Sequence, residues 1–142
     1  MAFDINTLVT DRTAADVRLG RDKGYYNAAD LNRVGAAVQY IAERFTAYGY
    51  AVTVSPKTDW SESDTPTASQ METYRGNVAS LRAVIAVLAS TPEPPESMRA
   101  LDYVKANDIE QILADIDFIL QHMPAAFRHS GVTICGSKGV IA

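Results

Sequence analysis

The chain has 142 residues, 47% of them hydrophobic and 21% charged, so it can build one cored domain and is too apolar for wholesale disorder. Its 13 basic residues against 17 acidic ones give a net charge of −4, which leaves no basic excess to neutralise phosphates and disfavours a nucleic-acid groove. The single cysteine, Cys135, excludes an intrachain disulfide and a cysteine-rich zinc site, and 2 histidines leave little for metal or acid–base chemistry.

The first residues, MAFDINTLVT, carry Asp4 early and no basic stretch ahead of an apolar one, so they do not read as a secretory signal. Residues 1–142 are expected to form a single domain with flexible ends at about 1–8 and 136–142. Thr13 and Asp16 make a cap pair that predicts a short helix, with Val17 and Leu19 as its apolar surface and Gly20 and Gly24 cutting it off.

A long helix is predicted from Asn27, an N-cap whose partner Asp30 lies three residues on. Leu31, Val34, Val38, Ile41, Phe45 and Tyr48 follow in alternating steps of three and four, one face of a helix. Gly49 supplies the stop. Tyr50–Val54 alternates like a strand, as does Val132–Cys135, and the two are candidates for a small β-ribbon. Asp59–Pro66 is a polar, acidic loop that holds Trp60.

Thr67 and Gln70 form a capping box for a second long helix, with the stripe Met71, Tyr74, Val78, Leu81, Ile85 and Leu88, ended by Pro92. Gly76, inside it, is expected to admit a close neighbour, the alternative being a kink. The stretch Val84–Ala89 is the longest strongly apolar run, far short of the roughly 20 residues that span a bilayer. A third helix is predicted from Asn107, with Glu110 completing its capping box. Its stripe is Ile109, Ile112, Ile116, Ile119 and Met123, with Leu113 and Leu120 beside it, and Pro124 should kink it. The first two long helices, about 21 residues each, measure roughly 30 Å. Three such helices bury one another as an all-α bundle at shallow crossing angles.

Chemical signatures are few. Gly136, Ser137, Lys138 and Gly139 superficially resemble part of a phosphate loop, but no helix follows to lend its dipole. His122 and His129 are seven apart, where a metal pair on one helix prefers three or four. Asp59, Glu62 and Asp64 lack the glycine and fixed oxygens of a calcium loop. Asp108, Glu110, Asp115 and Asp117 are best explained as a polar helix face. Cys135 follows Thr133 and Ile134 and reads as a small apolar residue ending a strand. No catalytic, cofactor or metal site is assigned.

Five strings in order, TDRTAADV (10–17), YYNAADLNRV (25–34), KTDW (57–60), DTPTASQM (64–71) and KANDIEQIL (105–113), resemble a group of small structural proteins of tailed bacteriophages and prophages of Gram-positive bacteria. The resemblance spans about Leu8 to Gly131. The chain departs from the pattern in lacking a longer insertion between Val17 and Lys23 and in carrying Phe127 where relatives tend to have Trp. The resemblance implies a non-enzymatic virion component of the tail, baseplate or fibre attachment. Such a protein would be made in the host cytoplasm and act as a homo-oligomer on other phage structural proteins, without nucleic acid or membrane. The alternative is a transient assembly adaptor or chaperone that is absent from the mature particle. The tyrosines and Trp60 read either as bundle-end packing with their polar ends toward solvent or as a protein interface, where aromatic residues are enriched; on the second reading Trp60, Tyr25, Tyr26 and, in the exposure-prone tail, Val132 and Ile134 are the expected partner contacts.

Overall fold

The computed structural model describes residues 3–21, 26–98 and 101–122. The order is a 3-10 turn (Ile5–Thr7), a short helix α1 (Ala14–Arg18) and three long helices: α2 (Ala28–Ala47), α3 (Ala68–Arg82) and α4 (Tyr103–His122). Each long helix packs against the other two, so the chain forms an all-α bundle. No helix among the described residues is long and apolar enough to cross a membrane.

Local chemistry starts three of the helices where the sequence places them. Capping boxes are complete at Thr13 with Asp16, Asn27 with Asp30, and Thr67 with Gln70. Helix α2 ends in a paired turn at Gly49, whose φ of 92° suits glycine. The Gly49 N–H donates to the Thr46 carbonyl and the Tyr50 N–H to that of Phe45, at 3.0 and 2.9 Å. The Tyr50 ring then meets Phe45 edge-on, with centroids 5.5 Å apart.

The core is built from the expected stripes. Val34, Ile41, Phe45, Val78, Leu81, Ile109, Ile112, Leu113, Ile116 and Leu120 have no exposed surface. Burial of side chains this size is the main term favouring the fold, at about 1.5–3 kcal/mol each before entropy is counted.

Several expectations are corrected. Helix α3 has 15 residues and stops at Arg82 instead of running on to Pro92. The chain turns at Ala83–Ile85 and doubles back, and Arg82 donates to the carbonyls of Pro92 (2.9 Å) and Thr91 (3.3 Å). The Thr91 hydroxyl donates to Asp115 on α4 at 2.7 Å. The reversal packs Val84, Ile85 and Val87 against the core, which a straight helix would carry past its neighbours. Helix α4 begins at Tyr103, one turn ahead of the predicted Asn107, because Asp102 caps it by accepting from the Lys105 N–H at 2.8 Å. Asn107 and Glu110 therefore lie inside the helix and are free to reach outward from it.

The proposed β-ribbon is not formed by residues 50–54, since no strand occurs among the described residues. That segment is the start of an extended strap laid across α2 and α3, and the Ser55 N–H donates to the Asn77 side chain at 3.0 Å. Its other half, Val132–Cys135, lies outside the described residues, as do Met123, Pro124, His129 and the 136–142 end. Residues 3–8, expected within a flexible end, form a turn whose Phe3 ring sits 6.0 Å from Tyr40. Gly76 has open space where a Cβ would stand. The close approach is at Gly35 instead, where an added Cβ would come within 2.2 Å of the Lys57 carbonyl oxygen.

Candidate functional site

Two polar constructions stand out. The first joins the N-terminal segment, α2 and α4. Glu110, with no exposed surface, accepts four hydrogen bonds: from the Val9 N–H (2.9 Å), Arg12 (2.7 Å) and Arg33 twice (both 2.8 Å). A carboxylate has about four acceptor positions, so this one is saturated. Asp30, besides capping α2, accepts from Arg33 at 2.6 Å and Arg12 at 3.4 Å. Two guanidinium groups thus face two carboxylates, and the assembly is neutral, which makes its burial tolerable. Asn107 fastens the same segment by a reciprocal pair, accepting from the Arg12 N–H and donating to the Arg12 carbonyl at 3.0 and 2.9 Å.

Arg12 also lies over the Tyr26 ring, 5.3 Å from its centroid. The Tyr26 hydroxyl is hydrogen-bonded to that of Tyr74. Burial raises both hydroxyls well above the ordinary tyrosine value. Burial pulls Arg33 down, but its hydrogen bonds and charge pairing with Glu110 and Asp30 outweigh this and raise it. Asp30, Arg33 and Glu110 are held by one another, while the buried Arg12 Nε has no hydrogen-bond partner among the described residues.

The second construction is the strap over α2 and α3. Asn32 accepts from the Trp60 N–H at 2.7 Å and donates to the Trp60 carbonyl at 2.9 Å, the same reciprocal clamp as Asn107 on Arg12. Lys57 sits 5.0 Å from the Trp60 ring centroid and pairs with Asp59 at 2.7 Å. Between strap and helices is a cavity of about 200 Å³. Val34, Val38, Trp60 and Tyr74 line its buried part, and Ser55, Ser69, Gln70 and Thr73 its exposed rim. The buried Trp60 indole N–H has no acceptor among the described residues.

The predicted contact residues separate. Trp60, expected on a surface, is 6% exposed and belongs to the core cluster. Tyr26 is half-buried against Arg12 and Tyr74. Tyr25, Val132 and Ile134 lie outside the described residues.

Two of the four acidic residues expected on a polar face of α4 are withdrawn from it. Glu110 and Asp117 are buried, and Asp117 pairs with Arg44 at 2.8 Å. Arg44 is pulled down by burial but raised overall by the hydroxyls of Tyr48 and Tyr40 and by Asp117. Asp115 accepts from Gln111 as well as Thr91. In the loop, Asp64 accepts from the Ser61 N–H at 2.8 Å. The His122 ring nitrogen lies 2.8 Å from the Phe118 carbonyl oxygen. Among the described residues no three His, Cys, Asp or Glu side chains are placed to hold a metal.

Sequence reasoning missed Arg12, Arg33 and Gly35. Arg33 has a visible signal, since it follows Asp30 by three residues and adjoins the buried stripe position Val34. Gly35 lies inside a helix with no cap to serve, but so does Gly76, which packs against nothing, so the sequence does not distinguish the two. Nothing local marks Arg12 for burial, because its carboxylate partners Asp30 and Glu110 lie 18 and 98 positions along the chain.

No protein-family model, curated protein or solved structure matches the chain.

Proposed function

We propose that this chain is a non-enzymatic structural subunit of a tailed-phage particle, placed in the tail, baseplate or fibre attachment and acting through repeated protein–protein contacts. One observation carries the proposal beyond the resemblance itself. Polar residues from four of the five resembling strings serve as joints of the fold. Arg12, Asp30, Arg33, Asn107 and Glu110 tie three segments together, Asn32 clamps Trp60, and Thr67 with Gln70 starts α3. Residues that bound or transformed a substrate would keep an unsatisfied face toward a cleft, and the carboxylate of Glu110 has none. A signature made of joints marks an architecture whose copies present the same surface again and again.

Mass spectrometry of purified particles tests the proposal. A structural subunit is present in many copies per particle. Absence from mature particles that package this gene would overturn it and make the chain an assembly factor. Light scattering on the purified chain reports whether it self-associates, which repeated placement around a symmetry axis requires of at least some contacts. Clearing of a cell-wall suspension by the purified chain would contradict the non-enzymatic assignment.

A further inference from the structure

Helices α2 and α4 run parallel. Near their starts Arg33 donates to Glu110, and near their ends Arg44 donates to Asp117 and the Tyr48 hydroxyl to the Leu120 carbonyl. One end of the bundle therefore holds the two helix starts, with α1 beside them, and the other holds His122, the last described residue. The 20 residues of α4 separate these ends by roughly 30 Å.

The helix-start end carries a groove of about 270 Å³ between α1 and the start of α4. Val17, Leu101, Tyr103 and Ala106 give it apolar walls, and the exposed Asp102 stands among them. Of the five large apolar side chains left exposed among the described residues, Val17, Leu19 and Val104 gather at this end. The charge beside them is negative and unmatched. Neither Asp102 nor Asp108 has an ion-pair partner among the described residues, and burial, then the nearby Asp102, raises the Asp108 carboxyl above its ordinary value.

A large apolar side chain next to a cation suits such a groove. Its volume exceeds the about 150 Å³ that accommodates benzene, so one aromatic ring enters. Residues 123–142 carry Arg128 and Lys138 and no acidic residue, and their one aromatic ring, Phe127, directly precedes Arg128. Lys138 has only Ser137 and Gly139 beside it. The same chain cannot make this contact. Phe127 is five residues beyond His122, at most about 18 Å of extended chain. That falls short of the roughly 30 Å between His122 and the groove.

We infer that the groove beside α1 receives the C-terminal segment of a second copy of this chain, with Phe127 entering the groove and Arg128 against Asp102. The contact joins two different surfaces, so it repeats head to tail into a ring or a stack. It rests on the reading of repeated contacts proposed above and names one of them.

Sedimentation of the full chain tests the contact. The parent should associate, with a mass that rises with concentration and falls with added salt. Val17→Lys, at an exposed groove position, and Arg128→Glu, in the segment, should each weaken association about tenfold and leave the thermal unfolding midpoint unchanged. Asp102→Asn keeps an oxygen for the Lys105 N–H and is the second groove variant should Val17→Lys fail to fold. A groove-blocked chain mixed with the Arg128→Glu chain should form a pair that stops at two chains, because each retains the surface the other has lost. The inference is overturned by a parent that stays monomeric up to about 1 mM, by a folded Arg128→Glu chain that associates as the parent does, or by a mixture that forms no pair. A monomeric chain present in many copies per particle would remove this contact and keep the structural proposal. A chain that pairs in this way but is absent from particles would do the reverse.

Discussion

Arg12 and Glu110 stand 98 positions apart in the chain and meet at 2.7 Å, with 2% and 0% of their side chains exposed. The pair closes the N-terminal segment onto α4, and Arg33 from α2 completes it. Buried ion pairs add little net stability compared with a well-packed apolar substitute, but removing one partner leaves a charge stranded. The energetic weight of the site therefore lies in its completeness.

Glu110→Gln keeps the shape of the side chain and removes its charge, leaving two arginines to share Asp30. The expected loss is about 3–5 kcal/mol of unfolding free energy, read by urea denaturation. A loss below about 1 kcal/mol would mean that the cluster is solvated in solution.

The two glycines within long helices should respond in opposite directions. Gly35→Ala puts a methyl 2.2 Å from the Lys57 carbonyl oxygen, so the strap must move, at a cost of about 1–3 kcal/mol. Gly76→Ala meets nothing within 4 Å and gains helix propensity, so it should stabilise by about 0.4–1 kcal/mol. Parallel thermal melts of the two variants settle the point, and destabilisation by Gly76→Ala would place a neighbour against it.

Asn32→Ala removes both hydrogen bonds that hold the Trp60 backbone. About 1–3 kcal/mol should be lost. As Trp60 is the single tryptophan, its fluorescence should also move toward the solvent-exposed maximum. An unmoved emission spectrum would show that the other strap contacts, Ser55 with Asn77 and Lys57 with Gly35, suffice to keep Trp60 in place.

Alkaline pH should unfold the protein through Tyr26 and Tyr74. Burial raises both hydroxyls above the ordinary value of 10.0, so the folded chain keeps two protons that the unfolded chain releases. Their contribution is fully present below pH 10.0 and is lost as the pH climbs through the raised folded values. The double variant Tyr26→Phe with Tyr74→Phe should lose stability less steeply above that pH. A slope equal to the parent's would assign the alkaline loss to other groups.

Much of the bundle was determined by the sequence alone. The starts of α1, α2 and α3, the apolar stripes and the stop at Gly49 all arise from contacts between residues three or four apart, and such contacts are written in local spacing. The same local logic misplaced the start of α4. Asn107 and Glu110 have the spacing of a capping box, but Arg12 and Arg33 reach them from 95 and 77 positions away. Tertiary structure alone decided that α3 would stop at Arg82, whose side chain meets the returning chain at Thr91 and Pro92. It decided too that Trp60, in a loop that reads as polar, would be buried, because Asn32 is 28 positions before it and offers its backbone both a donor and an acceptor. Local spacing determines which residues can start a helix. Only the folded chain determines which distant charge or amide completes a side chain's hydrogen bonds, and at Arg12, Trp60 and Glu110 that decided burial.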